Sequence, residues 1–185
     1  MKLNLRGSMH RRLAVLTAAL ALTGAPLRAQ QFIPQKTLVS ILETQKAFIL
    51  KYVDIAPDSM LGYRPTPGVR NFAEQIEHAA GSDAFIAHLI IAGGPQGMPV
   101  LGDSTVYRKN KAALREFTAK SMDHAIAMIG GLSDAQMVAE VTLFGNKMQR
   151  HRALMLLLDH FPWTLGATVP YLRLNGVTPP AYSPF

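Results

Sequence analysis

The sequence predicts an all-α protein, a four-helix bundle with a short extended segment ahead of its last helix. Three observations carry this expectation. Apolar residues recur at three- and four-residue intervals over four long stretches, Pro, Gly or a capping residue bounds the stretches, and a single connection departs from that period. Four helices of such length in one domain pack most simply as a bundle.

The first stretch runs from Pro34 to Val53, where Leu38, Ile41, Leu42, Phe48, Ile49 and Val53 define one apolar face. Pro34 suits the first turn, and Pro57 stops the helix by disfavouring helical geometry at Ala56. A proline-rich loop, Arg64-Pro65-Thr66-Pro67-Gly68, leads to Asn71, which can accept from the exposed amides of the next turn while Glu74 reaches back in a capping box. The second helix then spans Phe72 to about Ile91, with Phe72, Ile76, Ala79, Ile86 and Leu89 inward and Gly93-Gly94-Pro95 at its end. Those glycines lack the preceding strand and the following Gly-Lys-Ser/Thr of a phosphate loop, so they read as a connection. A third helix fits Thr105 to Ile129, closed by Gly130-Gly131. From Asp134 to Met148 the period changes, and Val141, Leu143 and Gly145-Asn146 read as an extended, turn-containing connection. The fourth helix is expected from Gln149 to Leu174, with Asn175-Gly176 as a left-handed stop and Pro179-Pro180 preventing continuation.

The N-terminus has a different character. A basic stretch from Met1 to Arg12, an apolar run from Leu13 to Leu22 and a break at Gly24-Ala25-Pro26 form the three parts of a secretory signal peptide, with cleavage expected after Ala29. The apolar run is shorter than the roughly 20 residues that span a bilayer. Residues 1–29 are therefore read as the leader and 30–185 as one domain, exported to the periplasm or beyond. This changes the meaning of the charge. The chain has 19 Lys and Arg against 12 Asp and Glu, but Lys2, Arg6, Arg11, Arg12 and Arg28 precede the cut, leaving 14 against 12, a net +2. No basic surface for nucleic acid remains, and no membrane association is expected once the leader is removed. The absence of cysteine excludes a thiolate nucleophile and a Cys-containing zinc site.

Chemistry then rests on histidine. There is no Gly-x-Ser-x-Gly elbow and no carboxylate pair singled out by spacing. His151 and His160 are nine residues apart, half a revolution, so they face opposite ways. His160 aligns with Leu157, Thr164 and Tyr171, while on the second helix His78 aligns with Glu74, Ser82 and Phe85 and His88 takes another face. His78 and His160 are thus the pair expected to converge. A neutral imidazole is a common ligand of zinc and nickel, yet two alone make a weak site, and periodicity by itself reads them as ordinary hydrogen-bonded histidines.

Two segments resemble a known family. Tyr63-Arg-Pro-Thr-Pro-Gly-Val-Arg-Asn-Phe-Ala-Glu-Gln-Ile-Glu-His78 is similar to the loop and second helix of DinB-like proteins, the group of DinB/YfiT-type metalloenzymes. Leu143-Phe-Gly-Asn-Lys-Met, His160-Phe-Pro-Trp-Thr164-Leu-Gly166 and Tyr171-Leu-Arg-Leu-Asn-Gly-Val-Thr-Pro-Pro180 resemble the approach to, and the course of, its final helix. The resemblance implies a four-helix bundle of DinB type with a crossover connection, often a homodimer. It also implies a metal site of three histidines, one from the second helix and two from a His-x-x-x-His in the fourth. Some relatives are thiol-dependent transferases using mycothiol, bacillithiol or glutathione, and many have no known activity.

Carried over, His78 matches the first ligand and His160 the second, while Thr164 occupies the third position, where a neutral hydroxyl replaces imidazole poorly. Pro162 and Pro170 both fall within the expected fourth helix, each removing a backbone donor. Glu74, one turn before His78, is the substitute that could complete a two-His, one-carboxylate set. The expectation is a degenerate site with no tightly bound cofactor, zinc or nickel being the ion it would take, in a non-catalytic or small-molecule-binding protein. The competing expectation is a metal-dependent transferase or hydrolase-like enzyme using metal-bound water or thiol. A protein-interaction module is a third reading, without a sequence signature of its own.

Overall fold

The computed structural model describes residues 32–182, and the expected signal peptide lies outside the described residues. The described chain is mostly helical. In order it forms α1 (Gln35–Ile55), a 3₁₀ turn (Asp58–Met60), α2 (Phe72–Ala92), α3 (Ser104–Tyr107), α4 (Lys111–Gly130), α5 (Asp134–Val138), β1 (Glu140–Leu143), β2 (Asn146–Gln149), α6 (Arg150–Gly166) and α7 (Val169–Leu174). α1 and α2 begin and end within two residues of their expected bounds. Asn71 and Glu74 form the capping box, with Glu74 N bonded to Asn71 Oδ1 at 2.8 Å and Asn71 N to Glu74 Oε2 at 2.9 Å.

Three expectations need correction. The third helix is broken into α3 and α4, because Asn110 turns its side chain onto Ala113 N at 2.9 Å and starts a new helix there. Tyr107 and Arg108, at the break, both reach Glu77 on α2. The connection from Asp134 to Met148 is not extended throughout. Ser133 and Gln136 cap a single turn, α5, before the β1–β2 hairpin pairs Glu140 with Gln149 and Leu143 with Asn146. Its two-residue loop holds Phe144 at φ 49° and Gly145 at φ 80°, the left-handed pair that a tight hairpin requires. Finally, the fourth helix ends at Gly166 and resumes at Val169. Pro170 has no N–H for the Gly166 carbonyl, so the chain breaks ahead of it, and Thr168 bonds back to the Leu165 carbonyl through N at 2.9 Å and Oγ1 at 2.6 Å. Pro170 therefore sits in the first turn of α7, where its missing donor costs nothing, and Pro162 alone lies inside a helix.

The core is built from Leu38, Leu42 and Ile49 of α1, Phe72, Ile76 and Ile90 of α2, Leu114, Met122 and Ile129 of α4, and Leu154, Leu157 and Phe161 of α6. Each such burial stabilises the fold by roughly 1.5–3 kcal/mol before chain entropy is subtracted. α2 packs closely against α4 and α6, and α1 against α4, whereas α1 and α6 touch little. Residues needed at a site are thus presented chiefly by α2 and its two neighbours.

Candidate functional site

His78 and His160 come together across α2 and α6. Their ring centroids are 5.1 Å apart and the ring planes are nearly perpendicular, at 81°. His78 Nδ1 lies 2.9 Å from the Ser82 hydroxyl, one turn further along α2. His160 Nδ1 donates to Asp83 Oδ1 at 2.7 Å, because an ionised carboxylate can only accept. That proton assignment leaves the Nε2 lone pair of His160 free, and the Thr164 hydroxyl stands 3.3 Å from it. A buried bond from Gln75 Nε2 to the Thr164 carbonyl, 2.9 Å, ties the same turn of α6 to α2.

Asp83 is fully buried and its Oδ2 has no hydrogen-bond partner. Burial raises its carboxyl to about 6, although the His160 bond and charge pull the other way. Burial also lowers His78 below the ordinary imidazole value, assisted by the positive charges of Arg70 and His160 and opposed by Glu77. The pair therefore combines an imidazole favoured in its neutral form with a carboxyl that titrates near neutrality.

Glu74 does not join them. Its carboxylate caps Asn71 N and accepts from Arg64 Nη2 at 2.9 Å, and the Asn71 amide is the first cause holding it below the usual carboxylate range. Among the described residues, no three His, Cys, Asp or Glu side chains group as a metal-binding set.

A cleft of about 730 Å³ opens onto His78 and Ser82. Arg70, Glu74 and Phe85 line one side, and Tyr107, Arg108 and the segment from Met98 to Gly102 the other. Arg108 is fixed on Glu77 by two bonds of 2.6 and 2.9 Å, and Tyr107 donates to the same carboxylate at 2.8 Å. Gly102 lets the backbone approach closely here, since a Cβ would lie 3.1 Å from the Tyr107 ring and 3.3 Å from Phe117, a tight fit. His160, Asp83 and Thr164 do not line this cleft.

Sequence reasoning passed over Asp83 and a second imidazole pair. Asp83 is the one acid between Ala79 and Ala92, and a lone carboxylate within an apolar helix was the available signal. His88 Nδ1 and His124 Nε2 lie 3.2 Å apart, and His88 Nε2 donates to the Gln96 carbonyl at 3.0 Å. His151 stays apart, bonded to Gln149 Oε1 at 2.9 Å.

The helices and the histidine convergence define a mostly helical protein whose candidate site lies between two of its long helices. The chain belongs to the DinB superfamily, whose model matches residues 41–161. Its fold is similar to that of a DinB-like protein of Bacillus subtilis, at 18% identity and a TM-score of 0.64, with 79% of this chain and 96% of that one covered. A DinB-like protein of Bacillus cereus ATCC 10987 is similar at 17% identity and a TM-score of 0.60, covering 77% and 95%. No curated protein matches the chain. The loop before α2 and the last helix meet physically: Tyr171 donates to the Arg70 carbonyl at 2.8 Å, and its ring lies 6.3 Å from that of Tyr63. Two imidazoles and a neutral hydroxyl do not fit a tightly held zinc or nickel ion, which takes at least three good donors.

Proposed function

We propose that this protein is an exported, non-catalytic, small-molecule-binding member of the DinB superfamily, a four-helix bundle with a crossover connection and a degenerate metal site. The observation that carries the reading is the donor set. Where a third imidazole would complete the site, the Thr164 hydroxyl stands 3.3 Å from His160 Nε2. Beside it, His78 and Ser82 border a cleft with both polar and apolar walls, room for a small molecule. Export rests on the leader pattern of residues 1–29. Among the described residues no helix is long and apolar enough to cross a membrane. A homodimer is the assembly that the family resemblance suggests, and the net charge of the mature chain speaks against a nucleic-acid partner.

Elemental analysis and zinc titration of the purified mature protein, with His78→Ala as control, test this. Zinc and nickel should bind no tighter than about micromolar, and Thr164→His should raise the affinity at least about tenfold by restoring an imidazole. Stoichiometric metal lost in His78→Ala would overturn the non-catalytic reading. One observation favours that second reading, a metal-dependent transferase or hydrolase-like enzyme. The Asp83 bond to His160 Nδ1 is the support that metal-ligating histidines commonly receive on the nitrogen away from the metal.

A further inference from the structure

α1 and α6 pack least closely of the neighbouring long helices, and between them lies a slot of about 260 Å³. Its walls are mostly apolar, formed by Ile41 and Phe48 from α1 and by Phe161 and Leu165 from α6, with Thr44, Gln45 and Tyr52 of α1 among them. The T-shaped contact of Tyr182 with Phe48, centroids 6.0 Å apart, closes one border. On α6 the slot residues Leu158, Pro162 and Leu165 stand nearly half a turn from His160 and Thr164, so this site is separate from the histidine pair.

Three features describe its ligand. No charged side chain lines the slot, and an ionic ligand would lose its hydration there without a counter-charge. Gln45 Oε1 is buried and has no hydrogen-bond partner. Gln45 Oε1 is thus an acceptor short of a donor inside a largely apolar wall. An unpaired buried acceptor is costly, and a bound donor removes that cost. For size, a cavity of roughly 150 Å³ holds one benzene, so this slot admits about ten non-hydrogen atoms.

We propose that the slot between α1 and α6 binds a small, uncharged, largely apolar molecule that carries an O–H or N–H donor for Gln45. Gln45 fixes the ligand's orientation, and the apolar walls select against ions.

Calorimetric titration of the purified protein with three nine-atom probes tests this. Indole has the donor, benzofuran has the same shape without it, and benzoate is charged. Indole should bind saturably below about 1 mM, benzofuran about fivefold more weakly for want of one hydrogen bond, and benzoate not at all. Gln45→Leu should bring indole and benzofuran to equal affinity. Gly166→Leu should remove indole binding with the helical circular dichroism intact, since a Cβ at Gly166 meets nothing within 4 Å and a longer side chain enters the slot's border. Leu158→Trp provides a second way to fill the slot if that variant does not fold. His78→Ala should leave indole affinity unchanged, which separates this site from the degenerate metal site. No saturable indole binding, benzoate binding as tight as indole, or binding that survives both filling variants would overturn the proposal.

Discussion

His78 and His88 lie ten residues apart on one helix, and each meets a histidine from a neighbouring helix, yet the two pairs are finished differently. His88 and His124 bond directly, nitrogen to nitrogen at 3.2 Å, and the other ring nitrogen of His88 donates to a main-chain carbonyl. Both nitrogens of the buried ring are used, and the partners cannot titrate apart from the imidazoles themselves. His78 and His160 make no such bond. Their rings meet edge to face at 5.1 Å, and their hydrogen bonds go outward to Ser82, Asp83 and Thr164. A pair that satisfies itself serves packing, whereas His78 opens onto a cleft and keeps capacity for a ligand, and its partner His160 is bonded to an ionisable carboxylate outside that lining.

The largest difference between the pairs should appear on truncation. His160→Ala leaves Asp83 fully buried without its donor, and depriving a buried carboxylate of its hydrogen bond costs about 3 kcal/mol. Urea unfolding near pH 8 measures this. The loss should shrink near pH 5, where Asp83 takes up a proton and needs the imidazole less. An equal loss at both pH values would mean that Asp83 is not the origin of the cost.

Asp83→Asn sharpens the same point. The folded-state value is raised from 3.8 to about 6, so the native protein holds its proton more tightly than the unfolded chain. The associated stability is present in full below the unfolded value and is lost as pH rises through the folded one, about 3 kcal/mol in all at 1.36 kcal/mol per unit. The variant lacks this dependence. Relative to wild type it should therefore become more stable as pH rises from about 4 to 7, by up to that amount.

These differences also show what was legible in the sequence. α1 and α2 were legible because Pro57 and the Asn71–Glu74 box act locally, on the residues next to them. The convergence of His78 and His160 followed from helical phase, which sets the face of each, together with the family resemblance, which pairs the two helices. The breaks at Arg108–Asn110 and Ala167–Thr168 were missed because the apolar period continues across them, while Asn110 capping and the missing donor of Pro170 decide the local geometry. Asp83 was missed because its role depends on a partner 77 positions away, and no local pattern announces that distance. The His88–His124 bond depends likewise on how α2 packs against α4, 36 positions apart in sequence.

The smallest effect belongs to the self-contained pair, and its sign is the opposite of that at Asp83. His124→Ala removes one neutral hydrogen bond to a ring whose other bond, to Gln96, is kept, so the expected loss near pH 8 is about 1 kcal/mol. Burial first, and then the charge of His88, hold His124 below its ordinary value of 6.5. A lowered imidazole means that the unfolded chain binds the proton more readily, so the wild type gains stability as pH rises through the window ending near 6.5. Without that imidazole, His124→Ala should become less stable relative to wild type as pH rises, whereas Asp83→Asn becomes more so. Thermal unfolding of the two variants and the wild type across about pH 4 to 8 gives both slopes in one series. Slopes of the same sign would show that the two pairs do not differ in the way their hydrogen bonds indicate.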